Sequence, residues 1–360
     1  MQRGEPATGR GRPGPESRLP RWLVLLIALP IAARLLSSAG AQAPGLPPSA
    51  GYLEVVATGI PRPTQLVLDG HTLTVLGPGL AGDAAGELYR VDLGGRLPVD
   101  LGMRASVRLS FSPGRTATLG SFALDPATRQ LFVGEENGTR IYRLTTDGAL
   151  APYATGLHRV PAGSALAVDA EGRLLVLDYV DRTLAPGEDS GPRGLEPLRE
   201  DDYRGPLLFR LAPDPSIALP RRLDRAIPLF PRPGGPRPAG FLGYLVAVAP
   251  LPSREIALME PTGALFRLRP DGSVSRLGRL PAGLGEYNRP GMVAAPDGSL
   301  YVSGGFHVSR VFRVSPAGAV DTVAQNLRDP EGLALDGQGH LYIAESSQHR
   351  ILRLRIGAPP

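Results

Sequence analysis

The chain of 360 residues is long enough for one large domain or two ordinary ones, and it has no cysteine, which excludes disulfides, thiolate metal sites and a cysteine nucleophile. Its formal charge of +5 is concentrated at the front: Arg3, Arg10, Arg12, Arg18, Arg21 and Arg34 against Glu5 and Glu16 make +4 of it, leaving +1 for the rest. A near-neutral body lacks the basic footprint of nucleic-acid binding, and with no lysine present all 39 basic side chains are arginine, a composition bias rather than a sign of arginine chemistry.

The first predicted element is a leader. An arginine-rich stretch broken by proline and glycine precedes the apolar run from Trp22 to Ala33, and the small residues Ser37-Ser38-Ala39-Gly40-Ala41 follow. That order is the n-, h- and c-region of a secretory signal peptide over residues 1–41, cut after Ala41, because a cut after Ala43 would set Pro44 beside the scissile bond. The apolar run is shorter than the ~20 residues of a membrane span and is broken by Pro30 and Arg34. An exported chain, periplasmic or extracellular, is therefore expected, free of the membrane once the leader is removed; the alternative is anchorage by an uncleaved leader. Residues 42–50, QAPGLPPSA, read as a linker to a domain over 51–360.

From there the chain repeats itself. A short strand of pattern apolar–apolar or aromatic–Arg–apolar occurs six times: Leu88-Tyr89-Arg90-Val91, Ile141-Tyr142-Arg143-Leu144, Leu208-Phe209-Arg210-Leu211, Leu265-Phe266-Arg267-Leu268, Val311-Phe312-Arg313-Val314 and Ile351-Leu352-Arg353-Leu354. The copies lie 40 to 67 residues apart, the span of four-stranded blades with loops of varied length. Each is preceded by two apolar strands separated by a tight turn, as in Met292 to Ala295, Pro296-Asp297-Gly298 and Leu300-Tyr301-Val302. Asp-Gly between apolar runs is a hairpin signal, and no sustained helical periodicity interrupts it. The sequence predicts an all-β, six-bladed β-propeller. The last copy stops at its third strand, whereas an orphan strand, Tyr52 to Ala57, precedes the first. The N-terminal strand is thus expected to complete the last blade and close the ring.

The last blade reads Asp329-Pro330-Glu331-Gly332-Leu333-Ala334-Leu335-Asp336, then Gly339-His340-Leu341-Tyr342-Ile343-Ala344-Glu345-Ser346, then His349-Arg350-Ile351. This resembles an NHL repeat, whose pattern is Pro-x-Gly-apolar-Ala-apolar-Asp, a glycine, apolar-Tyr-Val-Ala-Asp and Asn-x-Arg-Ile, with Glu345 standing where the family usually has aspartate. The resemblance implies the fold and leaves the function open.

In such a blade the second-to-third loops and the inter-blade crossings share one face. The long segments 77–86, 102–119, 179–205 and 231–243 fall there, so that face is the expected site. The longest, Tyr179 to Gly205, carries Asp181, Glu188, Asp189, Glu196, Glu200, Asp201 and Asp202 and reads as a solvated acidic loop. Residues opening the first strands line the channel: Gln65, Ser121, Ser164, Tyr244, Met292 and Glu331, with Asp178, Glu260 and Glu345 at second-strand ends. Gln65, Ser121, Ser164, Asp178, Tyr244, Glu331 and Glu345 are the ligand-binding candidates, although a carboxylate at such a place can equally hold a neighbouring blade through backbone N–H groups. Two readings follow. The first is a binding module, with no cofactor, that takes a protein, glycan or small molecule on the loop-rich face. The second is a hydrolase similar to the gluconolactonase and regucalcin family, lactonase or esterase, with a divalent cation such as Ca²⁺ in the channel. That resemblance implies Glu331 of Pro330-Glu331-Gly332 as a metal ligand. The slots for the family's asparagine partners, however, read Gly120-Ser121, Gly163-Ser164 and Pro290-Gly291.

Overall fold

The computed structural model describes residues 52–78, 86–110, 117–145, 148–180, 203–232, 243–281 and 286–356. The leader and linker expected over 1–50, and the acidic residues between Asp181 and Asp202, lie outside the described residues.

Six sheets follow one another along the chain. After β1 (Leu53–Thr58), blade one is β2 (Gln65–Asp69), β3 (Thr72–Gly77), β4 (Gly86–Asp92) and β6 (Val107–Leu109), with a two-residue β5 (Val99–Asp100) on the way. Blade two is β7 (Leu119–Leu124), β8 (Leu131–Glu135), β9 (Ile141–Leu144) and β10 (Leu150–Thr155). Blade three holds β11 (Leu166–Val168), β12 (Leu174–Val180) and β13 (Gly205–Leu211); a bridge from Leu208 to Phe230 stands where a fourth strand was expected. A second two-residue strand, β14 (Arg221–Arg222), runs parallel to β10 as an outer fifth member of blade two. Blade four is β15 (Ala247–Pro250), β16 (Ile256–Met259), β17 (Ala264–Leu268) and β18 (Val274–Arg279), and blade five is β19 (Met292–Ala294), β20 (Leu300–Ser303), β21 (Arg310–Val314) and β22 (Val320–Gln325). Blade six is β23 (Pro330–Leu335), β24 (His340–Glu345) and β25 (Arg350–Arg355), completed by β1.

That completion is the expected closure. β1 pairs antiparallel with β25, Leu53 opposite Leu354 and Thr58 opposite Arg350, and β5 then adds in parallel outside β1. Arg353 Nη2 reaches Glu54 Oε2 at 2.6 Å, an ion pair between the two ends of the domain.

Each blade presents two apolar faces to its neighbours, so the core is a series of layers between blades. Leu73, Val75, Tyr89 and Ile351 share the layer between blades six and one, and Met259, Leu265, Leu300 and Phe312 that between four and five. The repeated arginine has a structural use. Arg210 lies 3.6 Å from Asp169, Arg267 3.4 Å from Glu255 and Arg313 2.9 Å from Asp297, each pairing with the carboxylate at its own blade's first hairpin. Those hairpins rely on glycine where φ is positive, as at Gly298 (80°).

The first strands surround the axis. Toward the hairpin face they line an open cavity of about 320 Å³, with Leu66, Phe122, Leu166, Val293 and Leu335 among its walls. Toward the loop-rich face the blades bond directly to one another. Ser164 N–H donates to Pro290 O at 3.1 Å, Met292 N–H donates to Ser164 Oγ at 2.9 Å, and Gly332 N–H donates to Thr64 O at 2.8 Å. Blades three and five thus touch across the start of blade four. A Cβ on Gly332 would stand 2.6 Å from Gln65 Cα, and one on Gly291 would collide with Glu331 O. Glycine stands there because the backbones approach too closely for any side chain.

Candidate functional site

Above this constriction, on the loop-rich face, lies a cavity of about 550 Å³, within the range that holds a small organic ligand. It is assembled from four blades. Glu136 and Asn137 follow β8, Arg159 and Ala162 sit in the crossing to blade three, and Tyr244 and Val246 lead into β15. Tyr287 and Arg289 lie in the crossing to blade five, and Phe306 and His307 in the loop after β20.

Backbone pairing fixes these segments. Asn137 N–H donates to Val160 O at 2.8 Å, and Val160 N–H returns to Gly138 O at 2.9 Å. A bridge between Asn288 and Gly305, with Phe306 N–H donating to Asn288 O at 3.0 Å, locks the Arg289 crossing to the Phe306 loop. Asn137 and Arg289 both hold left-handed φ, 54° and 57°. Asparagine tolerates that region; arginine does so only where surrounding contacts demand it.

The charges come in two states. Arg289 Nη2 is bonded to both carboxylate oxygens of Glu136, pairing blade five with blade two across the cavity. Its guanidinium also lies 5.5 Å from the Phe306 ring centroid, with Arg62 at 5.9 Å from the same centroid. Arg159 has no carboxylate partner among the described residues. Its Nε donates to Asn137 Oδ1 at 2.9 Å, and its guanidinium stacks 5.5 Å from the Tyr244 centroid. Tyr179 meets Tyr244 edge-on at 5.1 Å. Burial pushes the Tyr244 hydroxyl up to about 12, so it stays a neutral hydrogen-bond donor at physiological pH.

The sequence candidates divide. Tyr244 lines the cavity. Asp178 supports it from behind: buried, it accepts the N–H groups of Arg159 at 2.6 Å and His158 at 2.9 Å, with His158 Nδ1 also at 2.9 Å, and so sets the stem of Arg159. Glu345 likewise accepts Arg328 N–H at 2.7 Å and pairs with Arg350 at 2.5 Å, the blade-holding role weighed above. Ser164 belongs to the constriction, and Gln65 lines the lower cavity with its Nε2 unpartnered. Ser121 is buried, its Oγ unpartnered and packed toward Gly134 of its own blade, away from the axis. Glu331 is 1% exposed with neither carboxylate oxygen hydrogen-bonded. Arg159, Arg289, Glu136, Tyr287 and Phe306 were not among the sequence candidates; all stand in crossings or second-to-third loops, outside the strand positions that the repeat makes recognisable.

A divalent cation finds a poor donor set at Glu331. Among the described residues no three of His, Asp and Glu converge, and the charges that act most on its carboxyl are the guanidiniums of Arg289 and Arg62. Hard cations need several oxygens at short range, and Glu331 brings a single buried carboxylate.

The NHL repeat family matches residues 327–354. A search of curated protein sequences finds no relative. Among solved structures, the chain superposes on one named as a gluconolactonase candidate with TM-score 0.54 at 15% identity, covering 86% of this chain and 93% of that one. A Bacteroides thetaiotaomicron protein of unknown function gives 0.52 at 13% identity over 84% of this chain and 75% of that one. A streptogramin B lyase gives 0.50 at 11% identity over 85% and 98%. At such identities the likeness is one of fold. By its own strand order the chain is a six-bladed β-propeller whose last blade matches the NHL repeat, similar in architecture to the solved structure named as a gluconolactonase candidate.

Proposed function

We propose that this is an exported binding propeller whose ligand occupies the cavity between Arg159, Tyr244, Arg289 and Phe306. The observation that carries this reading is the cavity itself: about 550 Å³ on the loop-rich face, lined by Tyr244 and Phe306 and by the fixed arginines Arg159 and Arg289. A rigid scaffold holding a few polar groups among apolar walls is what ligand sites share. The competing hydrolase reading would route its chemistry through Glu331, a single buried carboxylate with no cluster of three His, Asp or Glu about it among the described residues.

The test is a thermal-shift screen of small molecules, oligosaccharides and peptides on the wild-type chain and Tyr244→Ala. A ligand at about 100 times its dissociation constant adds about 2.7 kcal/mol, and the shift should vanish in Tyr244→Ala but persist in Asp271→Asn, on an exposed hairpin. Hydrolysis of lactones or esters that requires added Ca²⁺ and is lost in Glu331→Gln would overturn the binding reading. Export is checked separately by the N-terminus of the secreted protein, which should begin at Gln42.

A further inference from the structure

We propose that the ligand of this cavity is a ring compound bearing one carboxylate, an aromatic or sugar acid, gripped by Arg159. The inference rests on the binding reading above and narrows it.

The charges around the cavity do not cancel evenly. Glu136 and Arg289 neutralise each other, and Glu286 stands exposed on the rim, where water screens it. Asp178 is spent on two backbone N–H groups and on His158. That leaves Arg159 as the cavity-lining arginine whose guanidinium is ion-paired with no carboxylate among the described residues. Its orientation is set twice, by the bond from Nε to Asn137 Oδ1 and by stacking on Tyr244. With Nε engaged, the Nη1 and Nη2 end remains, a planar fork that matches the two oxygens of a carboxylate. A doubly charged phosphate ester would face the Glu136 carboxylate across the same space, so a monoanion fits better.

The walls ask for a ring. Tyr244 and Phe306 bring aromatic rings to the cavity, with Tyr287 buried behind its wall, and Phe306 has its orientation held by the guanidinium of Arg289. Sugar and aromatic rings both pack on such surfaces, whereas an extended aliphatic acid would leave them unfilled.

Isothermal titration of the full chain with two matched pairs tests this: phenylacetate against phenylacetamide, and D-glucuronate against D-glucose. The acid of at least one pair should bind about tenfold tighter than its neutral partner, added salt should weaken only the acid, and Arg159→Gln should reduce the preference to near unity. The wild-type comparison needs no variant, so a misfolded Arg159→Gln leaves the prediction decidable. Equal affinity within both pairs, or an acid preference that survives a folded Arg159→Gln, overturns the proposal. Should none of the four bind while a neutral ligand from the wider screen does, losing its effect in Tyr244→Ala, the binding reading stands and the carboxylate inference falls. If nothing binds and Tyr244→Ala changes no response, both fall.

Discussion

Glu331 offers the sharpest quantitative test of how this ring is built. It is the second residue of β23, buried at the constriction with neither carboxylate oxygen hydrogen-bonded. Burial lifts its carboxyl from the ordinary 4.5 to about 8, against the weaker pull of the Arg289 and Arg62 charges and of a Ser346 hydroxyl that does not close a full hydrogen bond. The folded protein therefore holds a proton that the unfolded chain releases. For a carboxyl raised in this way, the contribution to stability is intact below pH 4.5 and is lost as pH rises toward 8. The full rise corresponds to about 5 kcal/mol, of which about 1 is lost at pH 5, about 3 at pH 7 and about 4 at pH 8. Glu331→Gln keeps the shape and cannot ionise. Urea titrations followed by circular dichroism at pH 5, 6, 7 and 8 should find the variant gaining on wild type by about 2 kcal/mol between pH 5 and pH 7. A difference constant across that range would refute the argument. A wild-type stability lost on acidification through pH 5, and restored by the carboxylate, would place Glu331 in a charged environment that favours ionisation.

Three further outcomes follow from the same packing. Deleting residues 52–58 exposes the edge of β25 and removes Val56 and Ala57, both fully buried, and should cost about 5 kcal/mol and lower Tm by about 10 °C in a calorimetric scan; unchanged melting would contradict the closure. Glu136→Ala leaves the half-buried Arg289 unpaired and should cost about 2 kcal/mol, while the double variant with Arg289→Ala should cost less than the two single losses together, by about 1–2 kcal/mol in a denaturation cycle. Gly291→Ala sets a methyl against Glu331 O and should cost about 2–4 kcal/mol, whereas Gly337→Ala, which meets open space, should stay within about 0.5 kcal/mol; equal effects at the two sites would show that the constriction is looser than its distances imply.

The fold was legible because its signals are local and repeated. Asp-Gly turns fix hairpins, and an arginine on each third strand marks the position from which, in blades three, four and five, a guanidinium reaches its own blade's hairpin carboxylate. The orphan strand at Leu53 was readable because the last blade lacked a fourth. What escaped has no repeat to announce it. The two-residue strands β5 and β14 add to blades six and two in parallel, a pairing that no periodicity betrays at that length. In blade three, among the described residues, one bridge from Leu208 to Phe230 stands beside β13 in place of a ladder, and no periodicity marks that either.

The candidate site was half legible, and the division follows from chain position. Strand residues have a register, so Asp178 in β12 and Tyr244, in the lead-in to β15, could be placed near the channel mouth from the blade pattern. Crossing residues have none, so Arg159 and Arg289 could not be distinguished from any other arginine in a chain whose only basic residue is arginine. The glycines mislead in the opposite direction. Gly120-Ser121, Gly163-Ser164 and Pro290-Gly291 stand in the sequence as metal-site slots without their asparagines. In the folded chain Gly163 N–H donates to Gly120 O at 2.9 Å, Ser164 N–H donates to Pro290 O, and Gly291 abuts Glu331 O. These slots are filled by backbone. The ring is drawn in at this level, where backbones of different blades bond directly to one another. Replacing the small residues with larger ones would have to push the first strands of blades three and five apart, so the sequence features that depart from the metal-site pattern are the ones that let these backbones meet.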